Sequence, residues 1–289
     1  MNATGINKSS KNIKRCLMEW GRDMLDERGY FRDYRQNIFP AEMENRFKEA
    51  FEKGAGKELE LKACAPHSSS MLSFNFFHWI RKGASLAIDA VNYDEVLFEE
   101  KLPVLKGRMP AHMDVVLKNG AGDYLFIESK FLEYEYSSAC LEIRESYMDK
   151  DNYYCGGEQW AKFIREYKDC SVRMNKRQYW SGIKQEICHM IGLTKWFSEN
   201  PKPHSARFFN LVFEPAARYE KSHEKFVAYK ECYEKLCDAL CEAQLIPDSL
   251  QIAFKTYGDI WPAVKGSNLP DGLGKYLCER YMRFAKEWI

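Results

Sequence analysis

Apolar and charged positions alternate along the chain with two different periods, and the switches between them mark the elements. From Ile13 to Gly29 the apolar residues Ile13, Leu17, Met18, Met24 and Leu25 recur at helical spacing between charges, which predicts an opening helix. A second amphipathic segment starts at Glu42, carries Phe47, Ala50 and Phe51, and breaks at Gly54-Ala55-Gly56. Ser68, Ser69 and Ser70 then offer N-caps for an apolar helix from Met71 to Ile80. Phe76, Phe77 and Trp79 lie at core spacing in it, and Asn75 inside it must find hydrogen-bond partners.

The period then shortens. Val96 to Leu105 reads as a first strand, and two apolar runs, Val115 to Leu117 and Tyr124 to Ile127, flank the turn residues Asn119-Gly120-Ala121-Gly122-Asp123 as a β-hairpin. Residues 135 to 157 are polar and tyrosine-rich with weak periodicity, as in an insertion or mobile loop. A short helix from Glu158 to Tyr167 follows, then a long one from Gln178 to Phe197 with Ile183, Ile187 and Ile191 on one face. Arg207 to Glu214 forms a buried strand, Glu220 to Ala243 a charged helix, Ser249 to Lys255 an edge strand, and Leu273 to Ile289 a helical tail.

Composition narrows the class rather than the function. The chain has 289 residues, 45% hydrophobic, with a net charge of +1, so any nucleic-acid contact must come from a local basic face. One domain spanning 1–289 is expected, since no linker, repeat or low-complexity stretch divides it. The polar, lysine-bearing first fifteen residues lack a secretory apolar core, and no apolar run is long enough to span a bilayer. Ten cysteines at irregular spacing, with no Cys-x-x-Cys pair, read as reduced and mostly buried thiols of a cytoplasmic protein.

The chemistry gathers on the hairpin. Glu128 and Lys130 are two residues apart on a strand, so they share a face at about 7 Å. If the runs pair across the glycine turn, Asp114 at the start of one strand lies near Glu128 and Lys130 at the end of the other. Two carboxylates beside one ammonium form a hard, oxygen-rich site suited to a divalent cation. The bland alternative is a solvated surface strand with an ordinary Glu128 to Lys130 ion pair.

The order helix, three strands, helix, strand, with Asp at the second strand and Glu-x-Lys at the third, resembles the PD-(D/E)XK nuclease superfamily, the restriction-endonuclease-like fold. The likeness covers residues 42 to 214 and extends to flanking signatures of bacterial restriction endonucleases: Gly54-Ala55-Gly56-Lys57-Glu58-Leu59, Ser69-Ser70 with Leu72, Asn75 and Phe77, Phe98-Glu99, and Glu128-Ser129-Lys130-Phe131 with Glu133-Tyr134. The Pro-Asp dipeptide is spread out here, with Pro110 four residues before Asp114. The resemblance implies an α/β fold with an αβββαβ core, a mixed central sheet flanked by helices, and extra helices at both termini.

It also implies a function. Asp114, Glu128 and the backbone carbonyl of Ser129 would hold Mg²⁺ or Mn²⁺, with Glu58 and Glu99 as further metal ligands. Lys130 would orient the attacking water and stabilise phosphorane charge, and Gln185 would orient Lys130 or a phosphate, with His189 one turn later. Arg173, Lys176, Arg177 and Lys184 supply a basic track for DNA, and Lys106 with Arg108 a second. The expected protein is a metal-dependent DNA endonuclease, serving restriction or defence, and cleavage of both strands would favour a homodimer. The alternatives are a catalytically silent nucleic-acid-binding homologue and an interaction protein whose hairpin charges are only surface.

Overall fold

The computed structural model describes residues 13–51, 62–135, 143–173, 180–200 and 203–285. Helices α1 (Ile13–Trp20), α2 (Glu44–Phe51) and α3 (Ser69–Phe77) come first, followed by a small hairpin of β1 (Leu86–Ile88) and β2 (Val91–Tyr93). Strands β3 (Glu95–Leu102), β4 (Ala111–Lys118) and β5 (Asp123–Lys130) lead to helices α4 (Gly157–Arg173) and α5 (Trp180–Glu199). Then come β6 (Ser205–Val212), α6 (Glu220–Glu242), β7 (Leu250–Thr256), α7 (Tyr257–Lys265) and α8 (Leu273–Arg280).

The central sheet runs β3-β4-β5-β6-β7, antiparallel between β3, β4 and β5 and parallel between β5, β6 and β7. This is the mixed α/β sheet that the resemblance implies. The parallel step from β5 to β6 requires a crossover, and α4 and α5 make it over one face. Alternation on β5 divides the core. Leu125 and Ile127 face a cluster with Phe74 and Val115, whereas Phe126 faces one with Val116, Ile187 and Ile191.

Local chemistry fixes the turns. Asn119 Oδ1 accepts from the amides of Ala121 and Asp123 at 3.0 and 3.1 Å, and Gly122 at φ 87° completes the hairpin loop in a region that disfavours other residues. Ser68 caps α3 by accepting from the Met71 amide at 3.3 Å. Within α3, fully buried Asn75 accepts from Phe39 N at 3.0 Å and donates to Asn37 O at 2.9 Å and Tyr281 Oη at 3.1 Å.

Several expectations are adjusted. The described part of the expected loop is packed: Ile143 and Tyr153 are buried against the α4–α5 side, and two short 3₁₀ turns lie between them. The tail helix stops at Arg280. The β1–β2 hairpin and α7 were not anticipated, because three-residue strands fall below any periodic window. None of the eight described cysteines is in a disulfide, but six are half-buried and two exposed rather than mostly buried. Among the described residues no helix is long and apolar enough to cross a membrane.

Candidate functional site

The β4–β5 register brings Val115 opposite Ile127, which sets Asp114 opposite Glu128 one step further along. At that end the ladder gives way to side-chain chemistry. Asp114 Oδ2 accepts from the Ser129 amide at 2.7 Å, and the charge of the neighbouring Glu128 carboxyl acts on Asp114. The Lys130 carbonyl accepts from Phe213 N, so strand alternation turns the amide and carbonyl of Ser129 the other way, toward β4 and the Asp114 carboxyl. Ser129 Oγ lies on the opposite face, 2.7 Å from Tyr257 Oη.

Lys130 sits between sheet and helix. Its Nζ donates to Glu128 Oε1 and, at 2.7 Å, to Gln185 Oε1 on α5. One turn further along α5, His189 Nε2 lies 3.1 Å from the His112 carbonyl. A carbonyl only accepts, so this nitrogen is the donor and neutral Nδ1 presents its lone pair to Glu128 Oε2 at 3.5 Å. Neither Nδ1 nor Oε2 has a hydrogen-bond partner.

Charge is unbalanced in this volume. Glu128 and Glu186 are buried, Asp114 is half-buried, and both Glu186 oxygens lack partners. Three carboxyls face one ammonium, an excess of two negative charges if all ionise. Burial, then the charge of Glu128, pushes both Asp114 and Glu186 well above the usual carboxyl range. Glu128 is also raised by burial, against the pull of Lys130. Burial alone would lower the Lys130 ammonium, but the charge of Glu128, with Tyr229, Glu133 and Asp114, holds it above its ordinary value. His189, desolvated and beside Lys130, is lowered to about 3 and is neutral.

The arrangement suits a hard divalent cation. A carboxyl oxygen with no proton donor, three carboxyls against one ammonium and a backbone carbonyl turned toward β4 are what such an ion satisfies. Among the described residues no three His, Cys, Asp or Glu side chains are placed to ligate one ion together, and the groups that could hold one here are two carboxyls and a backbone carbonyl.

The other anticipated residues are distributed unevenly. Glu99 on β3 has φ 55° and lies opposite Asp114 by register where the β3–β4 ladder skips a pair; its Oε2 meets His112 Nδ1 at 3.2 Å. Lys184 is half-buried on α5. Glu58, Lys176 and Arg177 lie outside the described residues, as does the side chain of Arg173. Glu186 was missed, although the signal existed: it stands three residues after Ile183, within the apolar face of the anticipated helix. Exposed Glu133, whose carboxylate accepts from Phe131 N at 2.6 Å, adds a negative charge at the rim.

With this geometry in view, the comparisons add one finding. The family model described as Restriction Endonuclease associating with ARP matches residues 4–282. No curated protein and no solved structure matches the chain.

Proposed function

The chain belongs to the family of restriction endonucleases associating with ARP, and from that membership we propose that it is a divalent-metal-dependent DNA endonuclease acting at Asp114, Glu128 and Lys130. The observation that supports this most is the β4–β5 register, which sets Asp114 beside Glu128, with the Lys130 ammonium bonded to the second. Structural ion pairs do not gather two carboxyls against each other in a buried site unless something else neutralises them.

In this reading Asp114, Glu128 and the Ser129 carbonyl hold Mg²⁺ or Mn²⁺, and the ion when bound supplies Lewis acidity toward phosphate oxygens and a more nucleophilic water. The chain's own groups do the rest. Lys130 has three N–H donors, of which Glu128 and Gln185 engage two, leaving one for a phosphate oxygen or the attacking water. Being held protonated, it positions and stabilises charge rather than removing a proton. Gln185 fixes the ammonium from the helix side, and neutral His189 donates to the His112 carbonyl, keeping its lone pair toward Glu128. Water adds to phosphorus, one P–O ester bond breaks, and the departing alkoxide takes up a proton.

The family description also names association with ARP, and such an association is part of the proposal for this chain. The test is incubation with supercoiled plasmid and Mg²⁺ or Mn²⁺. Nicking that EDTA abolishes supports the reading. Binding without cleavage in either metal would favour the catalytically silent alternative.

A further inference from the structure

The turn between β3 and β4 lies at the same end of the sheet as Asp114, Glu128 and Lys130, since β4 begins where β5 ends. It reads Lys106-Gly107-Arg108-Met109-Pro110. Met109 is 73% exposed, against 45% for Tyr154 and 40% for Val227, the other exposed large apolar side chains among the described residues. Arg108 is exposed and, among the described residues, its side chain has no hydrogen bond or ion pair. Single exposed apolar residues are ordinary on protein surfaces. This one stands between an unpaired guanidinium and a proline, beside the candidate site.

The turn is also held. The Lys106 amide donates to Asn152 O at 2.8 Å, its Nζ to Asp151 O at 3.1 Å, and Leu105 bridges to Tyr153, so the packed segment before α4 clamps its base. Arg108 N closes the turn on Leu105 O at 3.2 Å, and Gly107 at φ 66° permits the reversal. Leu102, Val104 and Leu105 anchor it in the cluster on the face that carries Glu128 and Lys130. A floppy surface loop would have no such fixed aim.

We infer that this turn is a DNA-engaging wedge, in which Arg108 takes a backbone phosphate and Met109 enters a base step near the scissile bond. The inference rests on the nuclease reading only for what it says about distance from the cut. An unpaired cation matches a polyanion, and a methionine or proline tip is what minor-groove proteins push between bases. Met109 and Asp114 are five residue steps apart, at most about 16 Å at 3.3 Å per residue. At 3.4 Å per base step along a strand, the wedge therefore falls within about five steps of the reacting phosphate.

Two measurements on the full chain test it without requiring cleavage. The first is the salt dependence of binding to a mixed-sequence 30-bp duplex, in EDTA, for wild type, Arg108→Ala and Met109→Ala. The second is the linking-number change left in plasmid relaxed by a metal-independent topoisomerase with bound protein, which reads unstacking at any sequence. Arg108→Ala should weaken binding several-fold and lower the slope of log K against log salt by about 0.9, one phosphate contact. Met109→Ala should keep that slope and lose the unwinding. Unchanged slope and unwinding in both variants would overturn the inference, even if plasmid nicking persists. Loss of both with no nicking in any metal would retain the wedge and remove the nuclease reading.

Discussion

Lys130 Nζ donates to Gln185 Oε1 at 2.7 Å, so the last residue of β5 and the first turns of α5 meet at one cation. Sheet and helix are thereby registered at the point where the two acids converge. Gln185→Leu removes the acceptor and leaves Lys130 held only by Glu128. A charge-assisted hydrogen bond contributes about 1.5–3 kcal/mol, so single-turnover cleavage should fall about 10-fold to 100-fold with little change in duplex affinity. An equal loss in affinity and rate would point to a general disturbance of α5.

Three carboxyls against one ammonium favour the binding of a cation, with a consequence for stability. A divalent cation that binds the folded site should raise the melting temperature, by about 5 °C at 100 times its dissociation constant, where the linkage is about 2.7 kcal/mol. Asp114→Asn and Glu128→Gln should abolish the rise while folding normally in EDTA. Calorimetric scans with and without Mg²⁺ check it, and an equal rise in the variants would place the ion elsewhere.

Glu186 is buried with neither oxygen paired, and its carboxyl is raised well above the usual range by burial and then by Glu128. An acid with a raised folded pKa favours the fold fully below its unfolded pKa, and that advantage is lost as pH rises through the folded value. Glu186→Gln should therefore stabilise the metal-free protein by about 1–3 kcal/mol at pH 8 and by much less near pH 5. Urea unfolding in EDTA at both pH values reads the difference, and a gap that does not widen with pH would contradict it.

His78 carries the opposite sign. It is fully buried against Phe74, neither ring nitrogen has a partner, and desolvation lowers it to about 4. Below about pH 6.5 the unfolded chain takes up a proton that the folded chain refuses, so stability falls from there toward pH 4. The loss approaches about 1.4 kcal/mol per pH unit for this one group. His78→Leu should flatten the pH dependence by that amount, as measured by chemical unfolding between pH 7 and 4.5.

Much of this was legible in the sequence because the strongest signals were local. The Asn-Gly-Ala-Gly turn fixed the pairing of β4 with β5, and a period of two then put Glu128 with Lys130 and Asp114 opposite. The isoleucine stripe located α5 and hence Gln185. What escaped was set by packing across the chain. Glu186 drew no reading from the sequence, and its surroundings come from α6, which brings Tyr229 and Tyr233 within its field. The 143–157 segment seemed loose because Ile143, Tyr147 and Tyr153 have no periodic spacing, yet they close over the α4–α5 side of the sheet. Glu99 departs from its strand at φ 55°, a backbone state that no pattern of side chains announces.

The proposed role of the Lys130 ammonium, with the Asp114 and Glu128 carboxyls, is phosphodiester hydrolysis. The direct measurement is single-turnover cleavage of supercoiled plasmid in Mg²⁺ by wild type, Lys130→Ala and Asp114→Ala, each shown to be folded by its circular dichroism. Cleavage by wild type that falls at least about 100-fold in both variants, with duplex binding retained, is the result predicted. Nicking at the wild-type rate by either variant would contradict it.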